Sequence, residues 1–218
     1  MSGVVVISVD GPVAAGKGTL AKRLATALGL NHLDSGLLYR ATAARLLDDG
    51  ADPADPAAAE VAARAIGRAD LARADLRGEA VAGAASIVAA QPAVRAAVLE
   101  FQRRFAGTPP GAVIDGRDIG TVVCPDADAK LFVTASDTER ARRRHAELLE
   151  RGDRTTFDAV LAELRERDRR DSERAISPLL QAPDAVLLDT TELGAEDALQ
   201  AALAIVRNQL KRSCRRSI

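Results

Sequence analysis

The sequence predicts a three-layer α/β fold, with a central parallel sheet flanked by helices. Short apolar runs rich in β-branched residues alternate along the chain with longer segments of helical composition, as in parallel strands joined by crossover helices. A glycine-rich loop connects the first of these strands to the first helix. The chain of 218 residues is long enough for one domain, which we predict over residues 1–218 with an inserted helical lobe.

The amino-terminal elements follow from apolar runs and from glycines that end helices. Val4 to Val9 is an apolar run, broken only by Ser8, that is too short for a helix and indicates a strand covered on both faces. Gly29 and Gly50 each follow a helical segment, where glycine is favoured. The predicted elements are strand 4–9, helix 19–28, strand 30–34 and helix 36–49.

The segment from residue 57 to residue 105 has helical composition, with breaks near Gly78 and at Pro92. Proline suits the first turn of a helix, so a further helix is predicted from Pro92 to Phe105. This region belongs to the predicted insertion, which covers residues 41–105.

The carboxyl-terminal half continues the alternation of strand and helix. Ser136 and Glu139 form a capping-box pattern at the start of a helix that ends at Gly152. This helix and the next, from Thr156 to Arg174, make an arginine-rich hairpin, the predicted lid of residues 140–175. The other predicted elements are strands 112–114, 130–135 and 185–188 and a last helix, 193–210.

The composition excludes several classes of protein. No apolar run reaches the ~18 residues of a membrane span, and the amino terminus lacks the basic and apolar regions of a signal peptide. The 2 cysteines form no metal-binding or redox motif, so a cytoplasmic protein is expected. A net charge of -1 and an aromatic content of 2% argue against nucleic acid or a membrane as a partner. We expect a monomer that binds small molecules.

A phosphate-binding loop, or P-loop, is the strongest motif. The segment GPVAAGKGT follows a predicted strand and opens a helix, the context in which backbone N–H groups surround phosphate oxygens. Its lysine would reach the β- and γ-phosphates of ATP, and its threonine would offer a hydroxyl group to Mg²⁺. The other interpretation is a glycine-rich turn without a ligand. The predicted ATP-binding residues are Gly11, Pro12, Val13, Ala14, Ala15, Gly16, Lys17, Gly18 and Thr19.

A second motif, IDGRD, follows the next buried strand. Asp115 ends that strand, where a carboxylate could hold Mg²⁺ or its water shell, so Thr19 and Asp115 are the predicted metal ligands. Arg117 and Asp118 project from the carboxyl end of the sheet, where ligands bind in open α/β folds. The alternative is a tight Asp-Gly turn that carries a surface ion pair.

The helix predicted from Thr156 changes character along one face. Its first half carries an apolar stripe, formed by Phe157, Val160, Leu161 and Leu164. The same face continues with charged residues, which are Arg167, Asp168, Asp171 and Arg174. Buried charges are costly unless they are paired or bound to a charged group, so this face is predicted to run from the core over an anion-binding cleft. The alternative is a helix end in water, stabilised by i,i+4 ion pairs.

The predicted lid is rich in arginine, with eleven arginines between residues 140 and 174. Closure of the lid would expel water and bring guanidinium groups to a transferring phosphoryl group. Arg140 and Arg144 share one helix face and join Lys17 and Arg117 as candidate catalytic residues. Nine acidic residues are interspersed, so the alternative is a solvated surface.

Together these segments resemble one family, the bacterial cytidylate kinases. The resemblance rests on GPVAAGKGTL at 11–20, LDSGLLYR at 33–40, AASIVAAQPAVR at 84–95, IDGRDIGTVV at 114–123 and RERDRRDSERAISPL at 165–179. It implies transfer of the γ-phosphoryl group of ATP to CMP or dCMP, with Mg²⁺, and it implies that the insertion of residues 41–105 binds the acceptor nucleotide. It also implies that Ser86, Arg95 and Asp118 contact cytosine and that Arg40 and Arg117 contact the acceptor phosphate. The implied acceptor residues are Ser35, Arg40, Ser86, Arg95, Arg117, Asp118, Arg167, Asp171 and Arg174.

The chain departs from the family pattern in two places. Val13 and Ala14 stand where family members often have smaller or glycine-containing pairs, and residues 68–83 are too short and alanine-rich for the β-rich insert of many long members. Three alternative functions stay open at this point. They are a P-loop kinase for UMP or a metabolite, a nucleotide sensor without phosphoryl transfer, and a nucleic-acid-binding protein that uses the arginine-rich hairpin.

Overall fold

The structure, a computed structural model, describes residues 4–216. The chain divides into two compact units, which are Met1–Leu33 with Ala106–Ile218 and Asp34–Phe105. The strands are β1 (Val5–Asp10), β2 (Asn31–Asp34), β3 (Gly111–Gly116), β4 (Ala129–Thr134) and β5 (Val186–Asp189). The α-helices are α1 (Lys17–Leu28), α2 (Ser35–Asp48), α3 (Pro56–Arg64), α4 (Arg68–Leu71), α5 (Glu79–Val88), α6 (Pro92–Ala106), α7 (Asp137–Glu150), α8 (Phe157–Glu173) and α9 (Ala195–Arg216).

The first unit contains the sheet, which has five strands within the described residues, in the order β2-β3-β1-β4-β5. β1 pairs in parallel with β3 and β4, and β4 pairs in parallel with β5. Asp10 lies opposite both Gly116 and Phe132, so β1 and β3 end together at one edge of the sheet. The predicted α/β fold is confirmed, with each of these strands within about two residues of its predicted bounds.

The core of this unit is formed by apolar side chains of the inner strands and of the helices that cover them. Ile7, Val113, Leu131 and Val133 are fully buried, and helices α1 and α9 pack against them. Burial of each such side chain contributes about 1.5–3 kcal/mol, which fixes the sheet edge that carries the motifs. α9 continues past its predicted end to Arg216, since no glycine or proline interrupts it.

The hairpin of α7 and α8 begins where its capping residues predict. The Ser136 hydroxyl accepts a hydrogen bond from the Glu139 N–H (3.2 Å), and the Thr156 hydroxyl caps α8 in the same way. Val160 and Leu164 on α8 are buried against Ala141 of α7. The predicted apolar stripe is therefore the face that packs the hairpin.

The second unit is helical, as predicted for the insertion. α5 follows Gly78, and Pro92 is the first residue of α6. Residues 68–83 form α4, a single 3₁₀ turn at Ala74–Arg77 and the start of α5, and they contain no strand.

Among residues 4–216, no single helix is long and apolar enough to cross a membrane. The consecutive helices Ala80–Val88 and Pro92–Ala106 pass that test of length and composition only when taken together, and they are bent by 97° at their break.

Candidate active site

The P-loop connects the end of β1 to the start of α1. Gly11 has φ +147°, and a Cβ atom there would lie 1.9 Å from the Val133 carbonyl oxygen of β4. Gly16 has φ +81° and is the N-cap of α1, which begins at Lys17. Only glycine allows the close approach at Gly11 and the left-handed conformation at Gly16 at low cost. The two glycines therefore favour a loop that surrounds the amino terminus of a helix.

Lys17 is buried at the centre of this loop. Its side chain is 6% exposed, and its Nζ donates a hydrogen bond to the Pro12 carbonyl oxygen (2.5 Å). Burial, followed by the positive charge of Arg117, lowers the pKa of Lys17 to about 7. Within residues 4–216, no carboxylate lies within hydrogen-bond distance of this ammonium group. A buried cation in this situation is suited to an incoming anion.

Asp115 lies beside the P-loop at the end of β3. Its Oδ2 is 3.7 Å from the position of a Cβ atom added to Gly18, and its Oδ1 is 2.8 Å from His32 Nε2. In the parallel pairing of β1 and β3, Asp115 lies opposite Val9, close to the start of the P-loop. The register therefore places the IDGRD motif beside the P-loop. His32 was not singled out in the sequence, because a lone histidine on a short strand carries no local signal.

Asp10 holds the segment that follows the second motif. Residues Ile119–Val123 form a π-helical turn, and the Asp10 carboxylate accepts hydrogen bonds from the N–H groups of Ile119 (2.8 Å) and Gly120 (2.7 Å). Burial raises the pKa of Asp10 to about 6, although these two bonds favour the ionised form. The turn starts directly after Asp118, so Asp10 fixes the backbone of a predicted base-reading residue.

Arg117 and Asp171 bring the second motif and α8 together. Arg117 Nε donates to Asp171 Oδ2 (2.7 Å), and Arg174 Nη1 lies 3.9 Å from Asp171 Oδ1. Burial opposes ionisation of Asp171, but the charge and hydrogen bond of Arg117 outweigh it and hold the pKa of Asp171 below its usual range. Burial and the nearby charge of Arg117 lower the pKa of Arg167, and the charge of Asp171 opposes this shift. The interpretation of α8 as an inward-facing charged helix is therefore supported.

Arg140 and Asp168 contact the P-loop itself. The Arg140 guanidinium is 4% exposed and donates to the Val13 carbonyl oxygen (3.0 Å) and to Asp168 Oδ2 (2.5 Å). Arg140 was predicted to touch the transferring phosphoryl group, but its observed partners are protein oxygens. Arg144, the other predicted lid arginine, donates to Glu147 (3.0 Å) and is close enough to affect the pKa of Arg167.

Several hairpin arginines that face solvent are paired with acidic residues of their own helices. Arg169 binds Glu166 and Glu173, and Arg142 binds Glu139. These i,i+3 and i,i+4 pairs match the solvated-surface interpretation for that side of the hairpin. They do not favour a nucleic-acid-binding surface, which would present uncompensated positive charge.

Four predicted acceptor residues belong to the second unit. Ser35 is buried at the start of α2, whose N-cap Asp34 accepts from the Gly36 N–H (3.0 Å). Arg40 donates to the Leu76 carbonyl oxygen (3.0 Å). Arg95 is 9% exposed, with its guanidinium 5.7 Å from the centre of the Tyr39 ring. Ser86 is half-buried on α5.

Sequence comparisons with known proteins agree on one family. The sequence model of the cytidylate kinase family matches residues 7–208. A cytidylate kinase of Methylocella silvestris is 59% identical over 203 residues, which are 93% of this chain and 94% of that protein. A cytidylate kinase of Acidiphilium cryptum is 58% identical over 212 residues, covering 97% of this chain and 100% of the relative.

Similar solved structures support the fold. A gluconokinase from Sinorhizobium meliloti 1021 has a TM-score of 0.53 at 16% identity, over 100% of this chain and 98% of that one. The protein TT1252 from Thermus thermophilus has a TM-score of 0.50 at 22% identity, over 95% of this chain and 98% of that one.

Proposed function

The chain belongs to the cytidylate kinase family, and on that premise we propose that it transfers the γ-phosphoryl group of ATP to CMP or dCMP, giving ADP and CDP or dCDP. The observation that carries the proposal is the cluster around Lys17. A buried ammonium group, the Arg117–Asp171 pair and Asp118 come together at the carboxyl ends of β1 and β3. Such an arrangement offers positive charge to two phosphates and a carboxylate to a base.

The donor is bound by the P-loop. Its backbone N–H groups and the amino terminus of α1 would surround the ATP phosphates, and Lys17 would contact the β- and γ-phosphates. The lowered pKa of Lys17 supports this role, because a phosphate replaces the water that burial removed.

Mg²⁺ fits the donor side of the site. The described residues contain no group of three or more His, Cys, Asp or Glu side chains that could hold a metal ion by themselves. Mg²⁺ in phosphotransferases is usually held by one or two protein ligands together with substrate phosphates and water. Asp115 and Thr19 would be these ligands, since Asp115 lies beside Gly18 in the P-loop. When bound, the ion would neutralise charge on the phosphates.

The acceptor would be bound mainly by arginine and aspartate. Arg117, Arg167 and Arg174 would contact phosphate and ribose, while Asp171 keeps Arg117 in place. Asp118 would accept a hydrogen bond from the exocyclic amine of cytosine, a group that uracil lacks. The resemblance assigns Ser35, Arg40, Ser86 and Arg95 to the same nucleotide.

The reaction needs no covalent intermediate. An anionic oxygen of the CMP phosphate attacks the γ-phosphorus of ATP, and the bond from that phosphorus to the β–γ bridging oxygen breaks, with ADP as the leaving group. The protein contributes in-line placement and positive charge at the transferring group. Lys17, Arg117 and Arg144 are the proposed contacts, and the lid would exclude water as a competing acceptor.

The proposal extends to the oligomeric state, the location and the partners of the protein. We expect a monomer in the cytoplasm, where both nucleotides are available, with nucleotides rather than nucleic acid or membrane as its partners. The ion pairs that cover the outer side of the hairpin support this expectation.

Conversion of ATP and CMP by the purified protein tests the proposal. We expect ADP and CDP to appear in equal amounts, with conversion stopped when EDTA removes Mg²⁺. Arg117→Ala should lower kcat by about 100-fold, the usual cost of losing a charged contact to a transferring group. ATP hydrolysis without CDP formation, or ATP binding with no transfer to any monophosphate, would contradict it.

A further inference from the structure

Val13, in the middle of the P-loop, has both backbone polar groups bound by side chains of the arginine-rich hairpin. Its N–H donates to Asp168 Oδ1 (3.3 Å), and its carbonyl oxygen accepts from Arg140 Nη1 (3.0 Å). Arg140 and Asp168 also bind each other at 2.5 Å. The two side chains therefore hold one peptide of the loop from both sides, and we name this pair the P-loop clamp.

The P-loop clamp is itself firmly anchored. Arg140 Nε donates to the Ala135 carbonyl oxygen (3.1 Å), and Arg140 Nη2 donates to Asp137 (2.5 Å). With every nitrogen of its planar guanidinium engaged and almost no exposure, Arg140 has little rotational freedom. Asp168 lies one helical turn beyond the buried Leu164, so its position is set by the packing of α8.

The residue that follows Val13 explains why such a clamp is needed. Ala14 has φ +57°, a left-handed conformation that residues with a Cβ atom adopt at a cost. An alanine free to move would return to φ < 0 and turn its neighbouring N–H groups away from the loop interior. Val13 and Ala14 also pack against the hairpin cluster that contains Val160 and Leu164, so the hairpin contacts the strained segment by apolar as well as polar groups.

We propose that Arg140 and Asp168 are positioning residues that keep the P-loop in its phosphate-binding conformation by holding Val13 and thereby sustaining the left-handed backbone at Ala14. The inference rests on the proposed function in one respect, namely that the ligand of the P-loop is ATP. Its consequence is that two side chains of the hairpin support ATP binding from outside the loop, without themselves touching the nucleotide.

A double-mutant cycle tests the clamp. We measure the Kd of ATP by calorimetry, without CMP, for wild type, Asp168→Ala, Ala14→Gly and the double variant. Asp168→Ala should weaken ATP binding by about 10-fold, the equivalent of one hydrogen bond to a charged group. Ala14→Gly should change the wild-type Kd by less than about twofold but recover most of the loss in the Asp168→Ala background, because glycine adopts positive φ without strain.

Control variants separate positioning from general damage. Arg169→Ala removes exposed ion pairs on the same helix and should leave the Kd of ATP and the melting temperature nearly unchanged. If Asp168→Ala fails to fold, Asp168→Asn takes its place in the cycle, since it keeps the side-chain volume and removes the charge that Arg140 needs.

Two results would overturn the inference. One is a Kd of ATP for the folded Asp168 variant within about twofold of wild type, and the other is a loss that Ala14→Gly does not reduce. Failure of the wild-type protein to bind ATP would instead contradict the proposed function, so the two failures are distinguishable.

Discussion

Lys17 shows how a single buried cation can be prepared for an anionic ligand. The surrounding loop excludes water from the Lys17 ammonium group, and the positive charge of Arg117 repels it. The pKa of Lys17 therefore falls to about 7. In the unfolded chain the pKa would be the ordinary value of 10.5. Below about pH 7 the native state therefore bears the full cost of this buried charge, and the cost fades as the pH rises toward 10.5.

This pKa predicts proton uptake when ATP binds. At pH 8 most free protein has neutral Lys17, whereas the phosphates of bound ATP favour the charged form, so binding should take up about one proton. The affinity for ATP should fall by about tenfold per pH unit above pH 7.

Calorimetry in buffers of different ionisation enthalpy measures the proton uptake. Lys17→Met should abolish it and should melt at a higher temperature at pH 6, and uptake that persists in this variant would rule out Lys17 as the group.

Asp118 predicts specificity for the base. Asp118→Ala should lower the ratio of kcat/KM for CMP over UMP by about 10- to 100-fold, because a hydrogen bond to the exocyclic amine of cytosine is lost and the repulsion of uracil O4 disappears. Asp126→Ala, which removes an exposed carboxylate from the same segment, is the matched control. An unchanged ratio in Asp118→Ala would remove this residue from base recognition.

At the scale of elements, patterns that depend on nearest neighbours predict the structure well. The strands follow from their apolar runs, Gly29 ends α1 in the left-handed conformation, and Ser136 and Thr156 cap α7 and α8. The change from apolar to charged residues along α8 also predicts correctly which face turns inward, since the helical period links residues only a few positions apart.

Features that depend on distant residues were not predicted. The π-helical turn Ile119–Val123 is held by Asp10, which lies more than 100 residues earlier and carries no local sign of this role. Of the hairpin arginines, the sequence cannot tell that Arg140 turns toward Val13 while Arg142 pairs on the surface. Both orientations are decided by the packing of α7 against its neighbours rather than by residue type.

At the scale of the molecule, the proposed site residues belong to two compact units. The first unit carries the P-loop, the IDGRD motif and the charged face of α8, which were predicted from motifs that follow buried strands and from the helical period. The second unit carries Ser35, Arg40, Ser86 and Arg95, which were identified only through the family resemblance. Elementary patterns therefore lead to the proposed donor residues but to only part of the acceptor residues, because phosphate binding uses backbone geometry whereas base recognition uses single side chains.

The central claim is that this chain is a phosphotransferase whose acceptor is a cytosine nucleotide. Its most direct test is kcat/KM with CMP, dCMP, UMP, AMP and GMP as acceptors, measured by coupled detection of ADP. We predict that CMP or dCMP exceeds UMP and both purine nucleotides by at least about 100-fold, since a site built on paired hydrogen bonds rejects a mismatched base. Equal or better turnover of UMP, AMP or GMP would contradict the account.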